Sequence, residues 1–206
     1  MNKILSIIIP TYNAAQFLDK GLSTFIMEDK EMMDKLEVLI VNDGTKDNSV
    51  EVAQKFVDRY PDTFKIINKE NGGHGSAINT GVENVTGKYF KCVDADDWVY
   101  TDALERTMKI LEKEDFDALI QSFITYDISK DLWEPRDIHC DNTDRIYNLK
   151  EIVDMWEQID YGMSFHGVTY NSQFYKSLGY KLIEGVFYED QEYATIPLSY
   201  AKRIRL

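Results

Sequence analysis

"LSIIIPTYNAAQFLDKGLSTF", residues 5–25, carries the reading that decides the fold. The run Ile4 to Ile9 is β-branched and too apolar for a strand with one wet face. Leu18, Leu22 and Phe25 then recur at helical spacing. Between them Pro10, Thr11, Tyr12 and Asn13 break the pattern, and Asn13 sits where an N-cap belongs. A buried strand, a polar corner and an amphipathic helix make the opening of a βαβ unit.

The same alternation continues outward. Glu37–Val41, Phe64–Ile67, Tyr89–Val93 and Ala118–Phe123 read as strands. Val50, Ala53, Val57 and Tyr60, then Leu104, Met108 and Leu111, are spaced as helices, with Asp47 and Thr101 or Asp102 as caps and Pro61 as a stop. The expectation is an α/β fold with a mainly parallel central sheet and helices on both faces, a Rossmann-like architecture. After residue 123 the pattern changes. Asp127–Asn148 is polar and aperiodic, a surface loop or an edge hairpin. A helical stripe through Ile152, Trp156 and Ile159 follows, then a β-like run at Gly167–Tyr170, then a helical stretch over 189–204 with a break or kink expected near Pro197. The chain therefore divides into halves 1–123 and 124–206 of one domain, the second ending at Leu206 without an obvious cap, which reads as a truncation.

Composition narrows the function. Of 206 residues, 44% are hydrophobic and 29% charged, and 23 Lys and Arg against 36 Asp and Glu leave a net charge of −13. Unspecific nucleic-acid binding needs a basic surface, so it is excluded. No stretch is long enough to cross a bilayer, and the N-terminus lacks a signal peptide's length and cleavage site. A cytoplasmic location is the default expectation, with peripheral contact at the inner membrane face left to residues beyond this chain. Cys92 and Cys140 have no metal-spaced companions and read as reduced structural thiols.

In open parallel sheets ligands collect at the carboxyl ends of the strands. Strand one ends in Pro10 to Asn13, strand two in Asn42, Asp43 and Gly44, and strand four in Asp94, Ala95, Asp96 and Asp97. Two phosphate motifs fail first. "GGHGSAI", residues 72–78, puts Ile78 where a dinucleotide fingerprint needs Gly or Ala, and "GVENVTGKY", residues 81–89, has one residue too many between its glycines. The acid triplet is different. Alternate residues just past a strand point the same way, so Asp94 and Asp96 can offer hard oxygens to magnesium or manganese. The same triplet also reads as solvated loop and cap residues.

Four motifs in order, "LSIIIPTYNAAQFL" (5–18), "VLIVNDGTKDNS" (38–49), "NGGHGSAINTGVENVTGKYFKCVDADDW" (71–98) and "EGVFYEDQEYA" (184–194), resemble glycosyltransferase family 2, the inverting enzymes with the A-type glycosyltransferase (GT-A) fold. The resemblance implies transfer from a nucleotide-sugar donor, a UDP sugar, to a saccharide or lipid-linked acceptor in cell-surface polysaccharide synthesis, with Mn2+ or Mg2+ as cofactor. It implies that Pro10, Thr11 and Tyr12 line the base pocket, with Asn13 beside them in the nucleotide-sugar site, and that Asp43 accepts a hydrogen bond from the base. Gly73 and Asn79 belong to the loop and helix start under the donor. Asp94 and Asp96 match the DXD motif, Asp94 near ribose and metal and Asp96 a direct metal ligand. Glu189 and Asp190 match the acidic pair, with Asp190 the general base and Glu189 in reserve. The chain departs from the family in carrying Ile78 where an Arg often precedes the Asn. His74 reads as an exposed loop residue, and Asp97 as serving the turn. Tyr161, Met163, Phe165 and His166 read as core. A noncatalytic sugar-nucleotide-binding module and a haloacid-dehalogenase-like phosphohydrolase are the alternatives.

Overall fold

Every residue of the first strand is buried, odd and even positions alike, so both faces of the strand are covered. In the computed structural model, which describes residues 2–206 with the side chains of Asp160 and Tyr161 excepted, the strands and helices follow in the order β1 (Leu5–Thr11), α1 (Ala15–Ser23), α2 (Lys30–Lys35), β2 (Leu36–Asp43), α3 (Ser49–Arg59), β3 (Phe64–Lys69), α4 (His74–Asn84), β4 (Tyr89–Cys92) and α5 (Thr101–Lys113). Then come β5 (Ala118–Ile120), β6 (Phe123–Asp127), β7 (Leu132–Arg136), β8 (Ile146–Tyr147), α6 (Leu149–Asp154), α7 (Trp156–Ile159), β9 (Val168–Asn171), α8 (Ser172–Ser177), α9 (Glu189–Tyr200) and β10 (Ile204–Arg205). The chain forms two compact units, Met1–Asp115 with Lys181–Glu189, and Phe116–Tyr180 with Asp190–Leu206. These differ from the halves 1–123 and 124–206: the first changeover follows Asp115, and the segment Lys181–Glu189 returns to the first unit.

In the first unit the strands run in the order β3-β2-β1-β4 and every pairing is parallel. The mainly parallel α/β arrangement expected from the alternation is present. Pro10 lies in the central strand without breaking a ladder. The Ile4 and Ile8 carbonyls accept from Tyr89 and Val93, so the even residues of β1 face β4. Pro10 faces the same way but lies beyond the last paired residue there, Ile8 opposite Cys92, and its missing N–H removes no sheet bond. At the other end of the sheet a wholly buried Glu37 accepts from Lys65 Nζ, Thr86 N and Thr86 Oγ1, each at 2.9 Å, and from Ser6 Oγ. A buried carboxylate is tolerable only with such partners, and here it ties β2 to β1, β3 and the turn before β4.

The second unit is mixed. Its strands run β9-β5-β10-β8, with β5 antiparallel to β9, parallel to β10, and β10 antiparallel to β8. The single strand expected over Ala118–Phe123 is two: β5 stops at Ile120, and Phe123 opens a separate antiparallel ribbon, β6 and β7, which settles the loop-or-hairpin alternative in favour of a hairpin. Trp156, expected on the buried stripe with Ile152 and Ile159, is instead 59% exposed. The short helix α2 had no sequence signal beyond Asp29, whose side chain caps it by accepting from Glu31 N and Met32 N.

Of the break or kink expected near Pro197, the break does not occur, and α9 runs through it to Tyr200. A helical proline orphans the carbonyl four residues earlier, here that of Tyr193. The buried Tyr170 hydroxyl on β9 reaches the Tyr193 carbonyl at 2.9 Å and that of Ala194 at 3.1 Å. A side chain from a strand supplies the donor that the proline lacks, so the helix continues.

Candidate functional site

In the first unit the ends of β1, β2 and β4 meet the N-terminus of α4, and most of the sequence-derived residues lie on this rim. At the end of β1, Pro10 and Thr11 are buried while Tyr12 is 46% exposed. The corner beneath Tyr12 is pinned. Asn13 adopts a left-handed φ of 52°, a region that Asn tolerates better than most residues, and its Oδ1 accepts from Lys46 N at 2.9 Å. Asn13 is thus not the N-cap it was expected to be. The first amide of α1, Ala15 N, donates to Asp47 Oδ2 at 3.0 Å, and Ala14 N donates to Ser49 Oγ at 3.0 Å. Asp47 therefore holds the start of α1 from the loop after β2. Burial pushes its pKa up, but hydrogen bonds from Ser49, Ala15 and Thr45 outweigh that and hold it well below the usual carboxylate range.

Asp43 ends β2 and is 3% exposed. Its Oδ1 accepts from Lys69 Nζ at 2.6 Å and Gly72 N at 2.9 Å, and its Oδ2 accepts from Gly73 N at 2.8 Å. Lys69 is its register partner on β3. Asp43 is first of all the residue that binds the glycine loop. A carboxylate offers about four lone-pair positions, so one on Oδ2 is left for an N–H such as that of a base. Gly73 has a φ of 88°, where a side chain would be strained, and it caps α4 through its carbonyl, which accepts from Ala77 N at 3.1 Å.

Asn79 does not reach toward the rim. Its Oδ1 accepts from Leu182 N at 2.9 Å, and its Nδ2 donates to the Leu182 carbonyl at 3.0 Å and to Glu184 Oε1 at 3.1 Å. The amide is used at both ends to hold the segment Lys181–Glu189 on α4, so in this structure Asn79 acts as a clamp on that segment. Gly75 shows how close that segment runs: a Cβ there would lie 2.9 Å from the Ile183 carbonyl and 3.0 Å from Glu189 Cγ.

Extended geometry ends at Val93. Asp97 N donates to the Asp94 carbonyl at 3.0 Å, closing a turn over Asp94–Asp97. The alternation that put Asp94 and Asp96 on one side therefore does not apply past the strand. A carboxylate oxygen of Asp94 and one of Asp97 lie within 4.8 Å of one another, while Asp96 is exposed. Paired hard oxygens of like charge suit a divalent cation, so the donor set fits magnesium or manganese. Gly21 on α1 makes room for this turn, since a Cβ there would sit 2.7 Å from the Asp97 carbonyl.

The residue that sequence reasoning misplaced is His74. It is exposed, as expected, but it is the first residue of α4 rather than a loop residue, with Nδ1 2.8 Å from Glu189 Oε1 and Nε2 3.0 Å from Asp94 Oδ1. Burial lowers its pKa, but the hydrogen bonds and charges of Asp94 and Glu189 outweigh this and raise it above the ordinary value. Each ring nitrogen therefore faces one carboxylate oxygen, and a ring protonated at both nitrogens can donate to both. Glu189 is buried at the start of α9, and Asp190 follows it, half-buried, with Gln191 Nε2 3.3 Å from its Oδ2. The sequence signal available for His74 was its place between glycines at a helix start. Lys69 was legible only through the β2–β3 register.

Phe165 is buried against Tyr193, with ring centroids 5.1 Å apart, as expected of a core aromatic, whereas His166 is exposed, its ring tilted at 5.5 Å from that of Phe123, and the core reading does not hold for it. The Tyr161 side chain lies outside the described residues.

Known proteins resemble this chain in sequence and in fold. An uncharacterized glycosyltransferase of Rickettsia felis is 37% identical over 112 residues, covering 54% of this chain and 18% of its own. The uncharacterized glycosyltransferase YibD of Escherichia coli is 39% identical over 114 residues, covering 55% of this chain and 32% of its own. The matched stretch is thus a third or less of these relatives' length. Among solved structures, S. aureus TarS 1–349 in complex with UDP-GlcNAc aligns with a TM-score of 0.77 at 19% identity over 98% of this chain and 55% of its own. The mannosyltransferase PcManGT of Pyrobaculum calidifontis, in complex with GDP-Man and Mn2+, aligns with a TM-score of 0.67 at 20% identity over 100% and 55%. These likenesses give the GT-A fold. Residues 6–181, which take in the ends of β1, β2 and β4 and stop short of Glu189 and Asp190, match the family model described as "Glycosyl transferase family 2", and the chain belongs to that family.

Proposed function

We propose that the protein is an inverting glycosyltransferase that takes a sugar from a UDP sugar and transfers it to a saccharide or lipid-linked acceptor. The observation that carries this reading is the hydrogen-bonded chain Asp94–His74–Glu189, which joins the DXD turn to the acidic pair across 95 residues of sequence. Family membership sets the phosphohydrolase alternative aside.

In this reading the exposed Tyr12 ring offers a flat apolar face to the base. Asp43 accepts a base N–H at the open position on Oδ2. Asp94, with Asp96 and Asp97 beside it, would hold the divalent cation, while Oδ1 of Asp94 stays with His74. When bound, the cation neutralises the diphosphate and eases its departure. Asp190 takes the proton from the acceptor hydroxyl as that oxygen bonds to the anomeric carbon and the bond to the diphosphate breaks on the opposite side. One proton moves to Asp190, one glycosidic bond forms and one phosphoester bond is lost, with inversion.

Asp190→Asn tests the assignment. UDP with manganese binds within about threefold of wild type, whereas turnover falls by about 10²- to 10⁴-fold, the share a general base supplies. Near-normal transfer by this variant overturns Asp190 as base. Tight UDP binding by wild type with neither transfer nor slow donor hydrolysis makes the protein a binding module instead. A screen of UDP, GDP and CDP sugars names the donor.

Other parts of the reading follow from less. Polysaccharide synthesis as the setting, and a cytoplasmic location at the inner membrane face, rest on the family resemblance. Among the described residues no helix is long and apolar enough to cross a membrane.

A further inference from the structure

We infer that His74 is a positioning residue: holding Asp94 and Glu189 from its two ring nitrogens, it fixes the backbone at Glu189, one peptide bond before Asp190. The inference deepens the transferase reading and rests on it for its catalytic consequence. No sequence motif joins residues 74, 94 and 189; the ring meets Glu189 Oε1 at 2.8 Å and Asp94 Oδ1 at 3.0 Å.

The arrangement is directional. Glu189 keeps only 7% of its side chain exposed, so its carboxylate needs a partner that stays in place, whereas Asp94 keeps 30%. The ring itself starts α4, whose glycine-rich first turn is anchored by Asp43 through Gly72 N and Gly73 N. The segment before Glu189 is fastened to the same helix by Asn79, at Leu182 and Glu184. Between these fastenings the loop is open to solvent: Phe187 is 91% exposed and Tyr188 81% exposed, and Tyr188 takes a left-handed φ of 69°. A bulky residue held there is strained. Such a loop stays in one conformation only if both its ends are held, and at the Asp190 end the hold is His74. The missing family arginine fits this reading, since Ile78 is wholly buried and leaves His74 as the basic side chain joining these acids.

The consequence is that His74 affects turnover more than donor affinity. In His74→Ala, kcat falls by about 100-fold, the scale of a 1 Å misplacement of a reacting group, while the UDP–manganese Kd changes by less than about threefold. Added imidazole restores at least part of kcat, which a loss of general packing would not allow. His74→Gln can donate to only one carboxylate from its amide nitrogen and falls between wild type and His74→Ala. It also serves if the alanine variant does not fold. Independently of activity, a thermal double-mutant cycle of His74→Ala with Glu189→Gln reports the contact itself. The double variant is expected to be no less stable than the worse single one, because the two residues share one interaction.

Additive losses in that cycle overturn the tie. An unchanged kcat, or a donor affinity that falls as far as kcat, overturns the positioning role. If wild type turns over no nucleotide sugar, it is the transferase reading that fails, and the cycle still decides whether His74 holds Glu189.

Discussion

Asp47 lies outside the expected binding set, yet it orders the corner on which Tyr12 stands. Its Oδ2 takes Ala15 N, and its Oδ1 takes Ser49 N at 3.0 Å and Thr45 Oγ1 at 2.8 Å. Replacing it with alanine leaves the start of α1 without its acceptor and costs about 1–2 kcal/mol, as for other lost caps, read as a lower urea midpoint. The sign with pH follows from the depressed pKa. The folded value lies below the unfolded value of about 3.9, so the stabilisation is full above that pH and fades as pH falls through the folded value. Wild type therefore loses more stability than Asp47→Asn between pH 5 and pH 3 (roughly the window set by the unfolded value). At this scale the sequence exposed the acids and hid their partners. Asp43 was legible as a strand-end carboxylate, but its attachment to Gly72 and Gly73 depends on where the chain returns after β3. Asp47 was legible as a cap of α3, whose first amide, Ser49 N, it accepts, but not as the acceptor at the start of α1, 32 residues earlier.

Elements were read best where burial on both faces wrote itself into composition, as in β1 and β2, and worst where a distant group rescued a local breaker. Local propensity ends α9 at Pro197. The Tyr170 hydroxyl overrides it by satisfying the Tyr193 carbonyl, and Tyr170→Phe removes that donor from a buried site. The variant loses about 1–3 kcal/mol, the cost of a buried unsatisfied carbonyl, measurable by chemical denaturation, with helical signal decreasing at the α9 end in hydrogen exchange. Helix α4 makes the opposite case, since its closeness to the sheet is set by a missing side chain. A Cβ at Gly81 would meet Ile8 Cγ2 at 2.4 Å. Gly81→Ala gains helix propensity of about 1 kcal/mol but overpacks the α4–β1 contact at about 1–3 kcal/mol, for a net loss that a thermal melt detects.

For the whole molecule, a net charge of −13 disfavours an anionic ligand, so the proposed donor would be held through backbone amides, a few placed side chains and a cation. Titrating UDP in the presence of manganese to 100 times its Kd raises stability by about 2.7 kcal/mol. Chelation with EDTA abolishes most of that rise in a thermal-shift assay, and an EDTA-insensitive shift contradicts metal-assisted donor binding. The sequence by itself determined the α/β class, the strand ends that form the rim and the identity of the acids there, because parallel strands buried on both faces must be apolar and the polar residues that interrupt them are confined to the ends. Only the tertiary structure decided which of those acids are neighbours. Asp94 turned out to pair with His74 and lie near Asp97, Asn79 to clamp a segment more than 100 residues away, and Pro197 to sit within a continuous helix. Hydrogen bonds between residues far apart in the chain leave no periodicity behind them, so their partners become visible only once the backbone has brought them together.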